Sequence, residues 1–193
     1  MKLHSVFFSA MLLAGAQLSA STILYTANLS GANENPPTGS PGTGFAVVTI
    51  DTVAQTMEVN VTFQGLTSGD TAAHVHCCVA PGGNTGVATT TPTFTGFPGG
   101  VTSGSYDHVF DMTLASSYNP AFVTANGSSV PNAEATLFAG IAAGNAYLNI
   151  HTTNFGGGEI RGFLSPAVPE PATSGSVGLA LAVLLAFRRR IRL

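Results

Sequence analysis

Thr56-Met-Glu-Val-Asn-Val-Thr-Phe63 alternates with a period of two: Met57, Val59, Val61 and Phe63 fall on one face of an extended chain, and Glu58, Asn60 and Thr62 on the other. This is the pattern of an antiparallel strand with one face on a core and one on solvent. Residues 44–51 form a further strand, and residues 51–55 link the two at hairpin length. Working outward, residues 22–29, 72–77, 105–114, 146–152 and 159–164 read as strands between turn clusters, the last two joined by Thr153-Asn-Phe-Gly-Gly-Gly158. Residues 131–144 begin with a Pro, carry an early Glu and end at a Gly, which predicts one short helix, and residues 119–125 add a helical turn. Residues 79–104, rich in Gly, Pro and Thr, form a long excursion between strands. Several short strands with few helices predict an all-β chain, an antiparallel two-sheet β-sandwich.

Both ends of the chain read as targeting segments. Met1-Lys2 is basic, residues 6–15 are apolar and small residues follow, the layout of a secretory signal peptide over residues 1–20. At the other end, residues 168–193 hold Val168-Pro-Glu-Pro-Ala-Thr173, a hydrophobic segment over residues 174–187 expected to be helical, and Arg188-Arg189-Arg190. Residues 172–187 number sixteen, diluted by Ser, Thr and Gly, against the roughly 20 that span a bilayer core. The segment therefore reads as a transient membrane insertion rather than a lasting anchor, with its arginines held on the cytoplasmic side. The order Pro169-Glu170-Pro171, apolar run, Arg188, Arg189, Arg190 resembles the PEP-CTERM envelope-sorting signal. That resemblance implies recognition by a membrane sorting peptidase of exosortase type, then release to the cell envelope or outside.

One domain over residues 21–167 remains between these ends. Five of the six basic residues lie in the targeting segments, so Arg161 faces eight carboxylates and the domain carries a net charge of −7. Such a surface lacks the basic footprint that a phosphate backbone needs, which argues against a nucleic-acid partner. Elbow, phosphate-loop, dinucleotide and His-Glu-x-x-His signatures are absent from the sequence.

Leu29-Ser-Gly-Ala-Asn-Glu-Asn-Pro-Pro37, Gly44-Phe-Ala-Val-Val-Thr-Ile-Asp51, Ala73-His-Val-His76, Tyr147-Leu-Asn-Ile-His151 and Gly158-Glu-Ile-Arg-Gly162 occur in an order that resembles the CHRD (chordin-like) domain. The resemblance spans about residues 24–164 and implies a β-sandwich. The expectation is therefore an immunoglobulin-like or superoxide-dismutase-like sandwich, serving as a non-enzymatic binding or structural module of the bacterial surface or extracellular matrix. Its surface or matrix ligand is left open.

The chemistry-bearing residues gather in the same motifs. Alternation puts His74 and His76 on one face of their strand, and Tyr147, Asn149 and His151 on one face of theirs. If the strands are neighbours, His74, His76 and His151 converge. Three imidazoles with an open position suit copper or zinc. The His-x-His strand is similar to the copper site of copper/zinc superoxide dismutase, although the bridging His and zinc-ligand cluster of that enzyme have no counterpart and His108 is a weak fourth nitrogen. A redox protein of that type is the alternative function. The competing reading makes the histidines hydrogen-bonding residues that knit strands to a loop. Cys77-Cys78 in an exported chain allows a vicinal disulfide, an intermolecular bridge, or thiolates supplementing the histidines. Arg161 shares a face with Glu159, which predicts a structural ion pair with Glu159, or with Glu34 or an aspartate across the sheet.

Overall fold

The computed structural model describes residues 22–167. The signal peptide expected over residues 1–20 and the tail residues Pro169, Glu170, Pro171, Arg188, Arg189 and Arg190, with the hydrophobic segment, lie outside the described residues.

Eight strands form one antiparallel sheet: β1 (Thr22–Ser30), β2 (Thr43–Asp51), β3 (Thr56–Gln64), β4 (Asp70–Cys77), β5 (Gly104–Asp111), β6 (Ala146–Thr152), β7 (Ile160–Phe163) and β8 (Ser165–Pro166). Their spatial order is β4-β6-β7-β1-β2-β3-β5, with β8 paired to β1. The β2–β3 hairpin has the register that the alternation requires, Val48 opposite Val59 and Ala46 opposite Val61. Asp51 closes its turn by accepting from the amides of Val53 and Ala54, both at 2.8 Å. Met57, Val59 and Val61 are fully buried, together with Ala46, Val48 and Ile50 from β2.

The all-β antiparallel class stands, and the two expected layers occur as two halves of one curled sheet. Strands β1, β2, β3 and β5 form one half, and β4, β6 and β7 the other. Between β1 and β7 the only registered pair is Ser30 with Arg161. Inward side chains from both halves, including Val59, Val61, Val75, Leu148 and Ile150, share one hydrophobic core.

Two helices close an end of this core. In α1 (Pro120–Ala125), the Asn119 side chain caps the Ala121 amide at 2.9 Å. The predicted helix is α2 (Val130–Ala142), with Pro131 in its first turn and Gly144 just past its end at φ +70°, where a left-handed residue stops a helix. It buries Ala133, Leu137 and Ile141. The excursion over residues 79–103 satisfies the outer edge of β4, an edge strand in the sheet order. The Ala88 and Phe94 amides donate to the carbonyls of Val75 and Ala73, and the hydroxyls of Thr89 and Thr93 accept from the amides of the same two residues. An otherwise bare sheet edge is thereby covered.

Candidate metal centre

Strands β4 and β6 are direct neighbours, with His74 opposite Asn149, His76 opposite Tyr147 and Ala72 opposite His151. The core takes Ala73 and Val75 from β4 and Ala146, Leu148 and Ile150 from β6. Alternation therefore turns His74, His76, Tyr147, Asn149 and His151 to the opposite face. That face is covered by the 79–103 excursion and the 153–158 loop, so all seven residues of β6 are buried.

Each histidine is held through one ring nitrogen by a backbone carbonyl. His74 Nε2 meets the Pro92 oxygen at 2.7 Å, His76 Nδ1 the Thr85 oxygen at 2.8 Å and His151 Nδ1 the Gly156 oxygen at 3.0 Å. A carbonyl oxygen only accepts, so those three nitrogens carry the protons and the tautomers are fixed. The opposite nitrogens, His74 Nδ1, His76 Nε2 and His151 Nε2, present lone pairs, and all three are buried without a hydrogen-bond partner. The potential ligand atoms of the three residues lie within 4.8 Å of one another. A tetrahedral ion with bonds of about 2.0–2.1 Å spaces its donors ~3.4 Å apart, so side-chain adjustments of about an ångström would close a site here.

The electrostatics agree with neutral ligands. Burial pushes His74 and His76 down to about 4, against the raising effect of their carbonyl partners, and also lowers His151. All three are uncharged at neutral pH. Buried acceptors with no donor among them are costly, and a cation is one partner that would relieve this arrangement.

Further contacts fix the site. Tyr147 stacks on the His76 ring at 4.8 Å and 10°, and the Arg161 guanidinium lies 4.7 Å over Tyr147. Thr85 links to the Tyr147 hydroxyl as well as to His76, with Tyr147 Oη 3.3 Å from the Thr85 oxygen. Asn149 Oδ1 is another buried acceptor without a partner on this face. A Cβ on Gly158 would collide with the Asn149 carboxamide, so a glycine there lets the loop close over it. Sequence reasoning did not assign a role to Asn149 or Tyr147, or to the carbonyls of Thr85, Pro92 and Gly156. Backbone carbonyls have no side-chain signature, and only the register of β4 on β6 assigns these positions.

Among the remaining candidates, His108 lies on β5 between Tyr106 and Phe110, with ring centroids at 6.1 and 4.6 Å, and does not join the three histidines. Cys77 and Cys78 are bonded to each other, and strand β4 ends at Cys77. Both sulfurs pack against Gly140 of α2, where a Cβ would strike them.

The expected Arg161–Glu159 pair is corrected. Arg161 Nε lies 3.7 Å from Glu34 Oε2, which is the only salt bridge among the described residues. The carboxylate of Glu159 is occupied by other donors: Ser40 Oγ at 2.6 Å and the Thr67 amide at 2.7 Å on one oxygen, Thr152 Oγ1 at 2.6 Å and Thr67 Oγ1 at 3.1 Å on the other. Hydroxyls reach a fully buried carboxylate without bringing a second charge out of water, which explains why they replace the arginine there.

Two family models match the sequence: the CHRD domain over residues 25–164, and the PEP-CTERM protein-sorting motif over residues 167–190. No curated protein and no solved structure matches the chain.

Proposed function

Because the chain belongs to the CHRD domain family and carries a PEP-CTERM sorting motif, we propose that it is an exported envelope protein whose domain holds one copper or zinc ion on His74, His76 and His151. The observation that carries this reading is a cluster of three histidines whose potential ligand atoms lie within 4.8 Å of one another, each with one buried, unpartnered ring nitrogen and a backbone carbonyl on the other. Imidazole suits both metals, and such carbonyl partners are the usual outer shell of a ligating histidine. Bound there, an ion would tie β4 to β6 and lock the excursion and the 153–158 loop over the sheet. The role is that of a non-enzymatic binding or structural module of the bacterial surface or extracellular matrix. At the tail, a membrane peptidase of exosortase type acts near Pro169-Glu170-Pro171 after export by the signal peptide, while Arg188, Arg189 and Arg190 hold the far end on the cytoplasmic side.

The redox alternative draws on the same donor set, since three neutral imidazoles leave a coordination position for a small molecule. Isothermal titration of the purified protein with copper(II) and zinc(II) tests the site itself. One equivalent with a submicromolar Kd, lost in His76→Ala, is expected, and absence of heat with either metal would end the proposal. A dismutase assay on the copper-loaded protein separates the two roles: the module reading predicts the rate of an equal amount of free chelated copper or less.

A further inference from the structure

A second site lies on the far side of Tyr147 from His76. A cavity of about 650 Å3 opens between β1, the 31–36 loop, the 81–84 loop and β7, with Arg161 and Glu34 in its lining. Small-molecule sites commonly occupy about 300–1,000 Å3. Arg161 is 1% exposed and Glu34 8%, and each keeps one polar atom without a partner, Nη2 on the arginine and Oε1 on the glutamate.

The guanidinium is preorganised. Its Nε donates to the Asn33 carbonyl at 2.6 Å and its Nη1 to the Gly83 carbonyl and Asn84 Oδ1 at 3.1 and 2.6 Å. Its plane is packed against Tyr147 and Phe163, at 4.7 and 5.6 Å from their ring centres. The two loops are stitched over it, Asn35 Nδ2 to the Gly82 oxygen and Asn84 Nδ2 to the Asn35 oxygen. The lining thus holds an unpartnered donor and an unpartnered acceptor on two side chains whose charged groups approach to 3.7 Å, and either left alone in a buried place is costly.

These observations constrain the occupant. A carboxylate placed on Arg161 would also press against Glu34, and an ammonium placed on Glu34 would press against the guanidinium, so a charged group gains little. A hydroxyl both accepts and donates, and adjacent hydroxyls satisfy both atoms at once. The rest of the lining is uncharged and mixed: Asn28, Asn35, Thr26 and Ser165 offer polar groups, while Ala32, Pro81 and the half-buried ring of Phe163 offer an apolar C–H surface. We propose that this cavity binds a neutral saccharide, with vicinal hydroxyls between Arg161 and Glu34 and a ring face on Phe163. The site stands independently of the metal centre.

The test is NMR titration of the 15N-labelled protein at pH 8 with maltotriose, cellotriose and mannotriose as neutral probes, and succinate and 1,4-diaminobutane as charged ones. At least one trisaccharide should bind with a Kd of about 10 mM or tighter. It should shift the amide signals of Asn28, Asn35 and Phe163. Glu34→Gln should weaken it about tenfold and Phe163→Leu several-fold, both without changing copper or zinc affinity. The signal map on the unsubstituted protein decides the case even if a variant fails to fold. No binding by any trisaccharide at about 20 mM, shifts outside the cavity, or tighter binding of succinate or the diamine would overturn the assignment.

Discussion

Replacing Glu159 by Gln should cost the fold about 2–4 kcal/mol at neutral pH, for reasons that can be counted at the site. The carboxylate accepts four hydrogen bonds, two per oxygen, and is fully buried. Bonds to a charged acceptor contribute about 1.5–3 kcal/mol each, against about 0.5–1.5 for neutral partners. Gln keeps the shape and one acceptor, so the bonds there weaken by roughly 1 kcal/mol each. The new amide nitrogen forces the hydroxyls of Thr152 and Thr67 to turn and accept, which adds a loss of similar size. For a domain of this length the sum corresponds to a Tm fall of ~5–15 °C. Burial raises the carboxyl, but the bonds from Ser40, Thr152 and Thr67 outweigh it and hold Glu159 below the ordinary 4.5. A depressed carboxyl stabilises the fold above its unfolded value, and the contribution fades as pH falls through the folded one. Thermal melts of both proteins between pH 8 and pH 3 should therefore show the gap in full at neutral pH and shrinking below about 4.5. A gap under about 1 kcal/mol at pH 7, or one that persists undiminished at pH 3, would refute the hydroxyl cage.

Three other outcomes follow from the same physics. With His74 and His76 lowered to about 4 and His151 held below its ordinary value by burial, protons compete poorly for the site at neutral pH, so copper or zinc affinity measured by competition with a chelator should change little around pH 7 and collapse as pH passes about 4. A steep fall already at pH 6.5 would mean exposed imidazoles. Burial raises Glu34 to about 7 against the pull of Arg161, so the folded state binds the extra proton and stability drops as pH climbs from about 4.5 past 7; melts of Glu34→Gln should lack that drop, and an identical pH profile would contradict it. Gly140→Ala should gain about 1 kcal/mol of helix propensity but lose about 1–3 to collision with the Cys77 and Cys78 sulfurs, for a net loss in chemical denaturation that reduction relieves. A more stable oxidised variant would place the sulfurs elsewhere.

The legible parts of this chain were those written in side-chain period. Residues 56–63 announced a half-buried strand, and β3 buries the four residues their alternation selects. Pro131 and Gly144 marked α2 within two residues at each end. The three histidines were visible as a pair plus one, but their convergence depended on β4 lying beside β6, a partner distant in sequence that periodicity alone does not choose. The cover over the histidine face was hidden for another reason: residues 79–103 work largely through backbone groups of Thr85, Pro92, Ala88 and Phe94, with the hydroxyls of Thr89 and Thr93, and these carry little pattern. Arg161 was legible as a singular cation, and the choice among its candidate partners was not. Sharing a strand face put Glu159 first, and it was the 31–36 loop, folding back over β7, that delivered the alternative, Glu34. The single curled sheet likewise rests on one register pair, Ser30 with Arg161, which no local signal encodes.

Whether a metal resides on His74, His76 and His151 is decided by the metal content of the protein isolated from the envelope of its own host, measured by inductively coupled plasma mass spectrometry without added metal or chelator. About one equivalent of copper or zinc per folded chain is expected, released by acid below pH ~4 and missing from His76→Ala isolated in parallel. A folded, unmodified protein carrying less than about a tenth of an equivalent of either metal, or one whose His76→Ala variant retains the ion, would contradict it.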